Sequence, residues 1–124
     1  GDVCEYASAA HGGRRIRVEH VEHAKAQGAH VARQVLAGTA EPFTEVPYFY
    51  SDLADWLSFE SVGPAYAWDA EVVTGTLAEG EPFGVWYLEG GVVRGALSGQ
   101  GGLDLDRARE LIAAGEPVDP ATLG

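Results

Sequence analysis

Two apolar runs at residues 83–89 and 92–98, joined only by Gly90-Gly91, constrain this chain more than any other feature. A glycine pair accepts the left-handed backbone angles that close a tight turn, so the two runs are predicted to form an antiparallel hairpin. Period-two alternation sends Phe83, Val85 and Tyr87 to one side and Trp86 and Leu88 to the other. Both faces are therefore apolar. One must pack on the core and the other on a helix or another domain. Further strands are expected at 57–62 and 71–77, and a short one at about 14–18, after the Gly12-Gly13 turn signal.

Helical periodicity appears twice. Val21, Ala24, Gly28, Val31, Ala32 and Val35 recur at helical spacing through Leu36, with Gly38 placed to end the helix, and this stripe of small residues is expected to be its buried face. Asp104 is a candidate N-cap for a second helix through about Ala114, with an apolar stripe of Leu105, Ala108, Leu111 and Ile112; Gly115 and Pro117 stop it. Between the first helix and the strands, 39–46 carries proline and glutamate and reads as an exposed linker, with Pro47 at its end. The pattern gives an α+β class: an antiparallel sheet of about four to five strands with a C-terminal helix, preceded by a strand–helix segment.

At 124 residues and 46% hydrophobic content the chain can bury one core. Its charge is uneven. Residues 1–38 hold five basic and four acidic side chains, whereas 39–124 hold three basic and fifteen acidic ones. Such an acidic surface repels phosphate, so neither nucleic acid nor an anionic membrane is an expected partner. An acidic partner would approach the end near Arg14, Arg15 and Arg17. No run of about 18 apolar residues occurs, and a soluble, cytoplasmic protein is expected. The glycine start and the lack of methionine suggest a portion of a longer protein.

The single cysteine, Cys4, excludes an internal disulfide and a C-x-x-C redox pair, and is read as a small buried residue. His20, His23 and His30 lie near one helix with Glu19 and Glu22, but the spacing is not H-E-x-x-H, and no metal site is expected. All four histidines precede residue 31, so no hydrolytic triad with Ser51 or Ser58 can be assembled. Asp52 and Asp55 read as a solvated acidic turn, and most of the aromatic residues as core.

The remaining constellation is Gly1-Asp2-Val3 followed by the helix start Val18-Glu19-His20-Val21-Glu22-His23. A Gly-Asp turn can hold a carboxylate where it accepts hydrogen bonds from sugar-alcohol hydroxyls. A helix start offers free N–H groups and positive potential to an electron-rich acceptor. Downstream, Pro47-Tyr48-Phe49-Tyr50-Ser51-Asp52-Leu53 precedes Phe59-Glu60-Ser61-Val62-Gly63. Together these segments resemble the FAD-dependent pyridine nucleotide-disulphide oxidoreductases related to ferredoxin reductases and apoptosis-inducing factor, entered at their third flavin motif.

That resemblance implies the tail of a FAD-binding domain at 1–38, a linker at 39–46 and a reductase C-terminal domain at 47–124. It implies FAD contacts by Gly1 and Asp2, with the aspartate at the ribityl or phosphate region, by Glu19, His20 and Val21 at the helix start, with Val21 at the isoalloxazine's pyrimidine edge, and by Phe49 and Tyr50 beside the ring. NAD(P)H would be the parent's electron donor. The implied partners are the parent's remaining FAD and NAD domains, a ferredoxin-like acceptor and, in a homodimer, a second copy. No G-x-G-x-x-G opens a strand–helix unit here, so the chain carries neither dinucleotide cradle and is expected to be inactive by itself. The alternative reading is an acidic α+β interaction or dimerisation module without catalysis.

Overall fold

A computed structural model describes residues 1–124. The Gly90-Gly91 hairpin is its centre. Strands β6 (Phe83–Glu89) and β7 (Val92–Gly99) pair antiparallel, with Trp86 opposite Ala96 and a register shift at Tyr87/Leu88. Around them a five-stranded antiparallel sheet runs in the order β3-β4-β7-β6-β5, with β3 (Tyr48–Leu53), β4 (Leu57–Val62) and β5 (Ala70–Gly75). β3 lies within a segment that sequence patterning marked only as a motif; YFYSDL and LSFESV form a hairpin around Ala54-Asp55-Trp56. β5 is shorter than the expected 71–77, ending where the chain leaves the sheet at Gly75.

One sheet face carries the core. Val62, Trp86, Leu88, Val93 and Ala96 pack with Ala108 and Ile112 of the helix at Leu105–Ala114 and with Leu123. The Asp104 side chain caps that helix, accepting from the backbone N–H groups of Asp106 and Arg107 at 3.0 and 3.1 Å. Beyond it the tail folds back: Trp86 Nε1 donates to the Leu123 carbonyl at 3.0 Å, and Arg107 donates to the Thr122 carbonyl at 2.6 Å. Gly63, at φ +68, lets β4 leave the sheet tightly; a Cβ there would lie 2.6 Å from the Arg94 carbonyl and 2.8 Å from Ile112 Cδ1.

The opposite sheet face bears Phe83, Val85, Tyr87, Phe59 and Leu97 and has no helix over it, although Trp68 meets Tyr87 edge-on at 5.2 Å. Trp86 is core, whereas Trp56 and Trp68 are half-exposed, which corrects the expectation for those two.

The N-terminal segment holds a second sheet, β1 (Glu5–Ser8) with β2 (Arg14–Arg17), and the helix α1 (Val21–Ala37); the Leu105–Ala114 helix is α2. β1 escapes sequence reading because EYAS shows no apolar–polar alternation, whereas the equally short β2 alternates and follows the Gly12-Gly13 turn signal. The expected burial of α1 is reversed. Its inward face is His23 and Gln27, while Val31, Val35 (75% exposed) and Leu36 (89% exposed) face outward. The 39–46 linker is likewise anchored: Phe43 stands edge-on to Tyr6, His23 and His30, each at 5.4 Å, and Pro47 is buried. Cys4 is exposed, because it lies in the turn ahead of β1 with its side chain outward.

Candidate flavin-facing site

The Gly-Asp turn and the start of α1 are built against each other. A Cβ on Gly1 would sit 3.1 Å from Ala24 Cβ, and the Gly1 nitrogen donates to Gln27 Oε1 at 2.6 Å. Arg17 donates to the Asp2 carbonyl at 3.1 Å, tying the turn to β2. The Asp2 side chain is exposed and lies near enough to His23 to act on its titration. At α1 the N-cap His20 makes no side-chain cap, and the first intrahelical bond runs from Ala24 N–H to the His20 carbonyl. The first-turn N–H groups are therefore left for an external acceptor.

His20 links this turn to the sheet. Its ring lies 5.8, 5.3 and 5.3 Å from those of Tyr48, Phe49 and Tyr50 along the outer strand β3, and its Nδ1 is buried without a partner. Tyr48 is fixed from the other side. Its hydroxyl donates to Glu60 Oε1 at 2.5 Å, and this bond, with burial, pushes its pKa up to about 12. The Arg109 guanidinium lies over the same ring at 5.4 Å. A groove of about 260 Å³ runs beside this group, lined by Arg17, Glu19, Tyr48, Phe49, Ser61 and Tyr66. Arg17 and Glu19 form an ion pair on its rim.

Of the residues expected at a flavin, the structure gathers Gly1 and Asp2 at α1, and His20 with Phe49 and Tyr50 at β3; Glu19 and Phe49 share the groove. Val21, the first residue of α1, is 51% exposed. Tyr48 and Glu60 complete the arrangement; both stand in the 47–53 and 59–63 motifs, but their pairing across the β3–β4 hairpin escapes sequence reading, though alternating runs flanking a three-residue turn were the available signal. The basic end is partly neutralised: Arg15 pairs with Glu5 at 2.8 Å, and Arg14 lies over Tyr66. No three His, Cys, Asp or Glu side chains are placed to hold a metal ion, and no helix is long and apolar enough to cross a membrane.

The site is thus a helix-backed antiparallel sheet, an α+β domain, whose outer strand presents aromatic groups beside an open helix start. Residues 48–124 match the family model described as "Reductase C-terminal", and the chain belongs to that family. It is 37% identical, over 96% of its length, to the ferredoxin reductase subunit of 5,5'-dehydrodivanillate O-demethylase from a Sphingobium species, covering 28% of that protein. It is 38% identical, over 90% of its length, to the ferredoxin–NAD(+) reductase component of the anthranilate 1,2-dioxygenase system of Burkholderia cepacia, covering 27% of it. Among solved structures, putidaredoxin reductase in its covalent complex with putidaredoxin superposes with a TM-score of 0.84 at 28% identity, over all of this chain and 29% of that one. The chain thus spans less than a third of the relatives it matches.

Proposed function

We propose that this chain is the C-terminal part of an FAD-dependent NAD(P)H oxidoreductase that delivers electrons to a ferredoxin-like acceptor in the cytoplasm. Residues 1–38 would finish its FAD-binding domain and 47–124 form its reductase C-terminal domain. The observation that carries this is the meeting of an outward-facing Asp2 carboxylate, an uncapped helix start and an aromatic group in a chain aligned almost end to end with ferredoxin reductase subunits.

These groups fit a flavin. Asp2 would accept hydrogen bonds from ribityl hydroxyls, and the first N–H groups of α1 would donate to the ring's electron-rich edge. His20, Phe49 and Tyr50 would wall the ring from water, with Tyr48 and Glu60 holding His20's surroundings in place. When bound, the flavin would supply the conversion of a two-electron hydride donor into single-electron delivery. Two copies would associate through apolar surface left open here. The acceptor would meet the arginines of β2.

The test is a chimera in which this chain replaces the aligned C-terminal portion of Pseudomonas putida putidaredoxin reductase. The chimera should purify yellow, and Asp2→Ala should weaken flavin retention roughly tenfold or more, the worth of one or two charge-assisted hydrogen bonds. A folded chimera that holds no flavin would overturn the reading.

A further inference from the structure

A second site lies at the end of the sheet, where the β3–β4 turn faces the loop between β5 and β6. A cavity of about 570 Å³ opens there, lined by Trp56, Leu57, Leu77, Glu79, Gly80 and Phe83. This volume lies in the small-molecule range.

The floor and one wall are firmly held. Phe83 is 9% exposed and wedged over Gly99 and Gly102, where any side chain at either position would collide with it. Trp56 presents an indole that is 49% exposed, and its carbonyl accepts from Gln100 Nε2 at 3.3 Å. The chain's two non-glycine residues with positive φ, Ala54 (+55) and Gln100 (+52), both belong to this support. Each costs about 1 kcal/mol or more of backbone strain, which persists only where surrounding structure imposes it.

Charge selects the occupant. Residues 34–93, which supply all the lining, contain ten acidic side chains and no lysine or arginine. Glu79 is on the wall, and Asp55 and Glu81 adjoin lining residues. An anion would be repelled. A cation with an apolar body gains the indole face, the apolar floor and a nearby carboxylate together.

We propose that this cavity binds a small organic cation, a quaternary ammonium or pyridinium ion carrying an aromatic body, between Trp56 and Phe83 with Glu79 as counter-charge. The site is separate from the flavin-facing groups, so its test does not depend on them.

Titration of the 124-residue chain with benzyltrimethylammonium, followed by calorimetry and by shifts of the Trp56 indole N–H signal, should show saturable one-to-one binding. Benzyl alcohol and benzoate should bind at least tenfold more weakly. Trp56→Leu should weaken binding about tenfold and Trp56→Tyr, which keeps a ring face, less. Glu79→Gln, at an exposed loop position that leaves folding intact, should weaken the cation severalfold without affecting benzyl alcohol. Equal binding of the neutral and cationic probes, an unchanged affinity in Glu79→Gln, or no saturable response would overturn the proposal. So would a lysine-bearing apolar peptide binding tenfold more tightly than the small cation, since the occupant would then be a protein.

Discussion

Gly63 shows how a single residue decides the packing of two layers. At φ +68 any side chain is strained, but strain alone is modest at an open turn such as Gly80, also left-handed, where an added Cβ meets nothing within 4 Å. Gly63→Ala adds a collision with the Arg94 carbonyl and Ile112. Urea denaturation should show Gly80→Ala costing about 1 kcal/mol and Gly63→Ala at least about 2 kcal/mol more; equal losses would refute the collision. Buried His23 and half-buried His11 make a second prediction. Burial holds both His23 and His11 below the ordinary value of 6.5. A lowered folded pKa means that the unfolded chain binds protons first, so stability present above pH 6.5 is lost as pH falls towards the folded values. Urea midpoints between pH 7.5 and 5 should decline, and His23→Gln should flatten the slope. An identical slope in the variant would assign the acid sensitivity elsewhere.

At the scale of elements, α1 and the β6–β7 hairpin differ in what holds them. The hairpin lies within the core, whereas α1 offers its neighbours His23 and Gln27 and is held by Phe43 of the linker, by Tyr6 stacked on His23, by the Gly1 contacts with Ala24 and Gln27, and by His20 against β3. Few buried apolar contacts mean low local opening energy. Amide exchange should therefore be slowest in β6 and β7 and markedly faster in 21–37, and Phe43→Ala should speed exchange in α1 without changing the hairpin. Equal protection in both would show one cooperative unit. The Val21–Leu36 stripe was legible as helical, but not which way it faces, because periodicity fixes a helix's sides relative to each other and not relative to a neighbour. Asp104 was legible completely, since a cap is a local interaction between an aspartate and backbone two and three residues on.

For the whole molecule, the exposed apolar surface is the dominant property: Val31, Val35 and Leu36 on α1, Phe49 and Tyr50 on β3, and Trp56, Trp68, Val73 and Leu77 about the sheet. Patches of this kind seek cover. The chain by itself should self-associate at micromolar concentration, read by sedimentation, and Val35→Glu with Leu36→Glu should shift it towards monomer. A strict monomer would show that these surfaces tolerate water.

Local chemistry in the sequence determined the α+β class, the Gly90-Gly91 hairpin, both helices, the capping of α2, and the groups of the Gly-Asp turn. Each depends on interactions between residues near in the chain, or on a period that a few residues display. Tertiary structure alone decided that His20 enters the Tyr48, Phe49 and Tyr50 group, that Phe43 ties the linker to α1, and that Trp56 and Phe83 face a common cavity. These depend on where distant segments meet, which side-chain identity does not encode: an apolar residue can be satisfied by any apolar partner, and the fold selects which one.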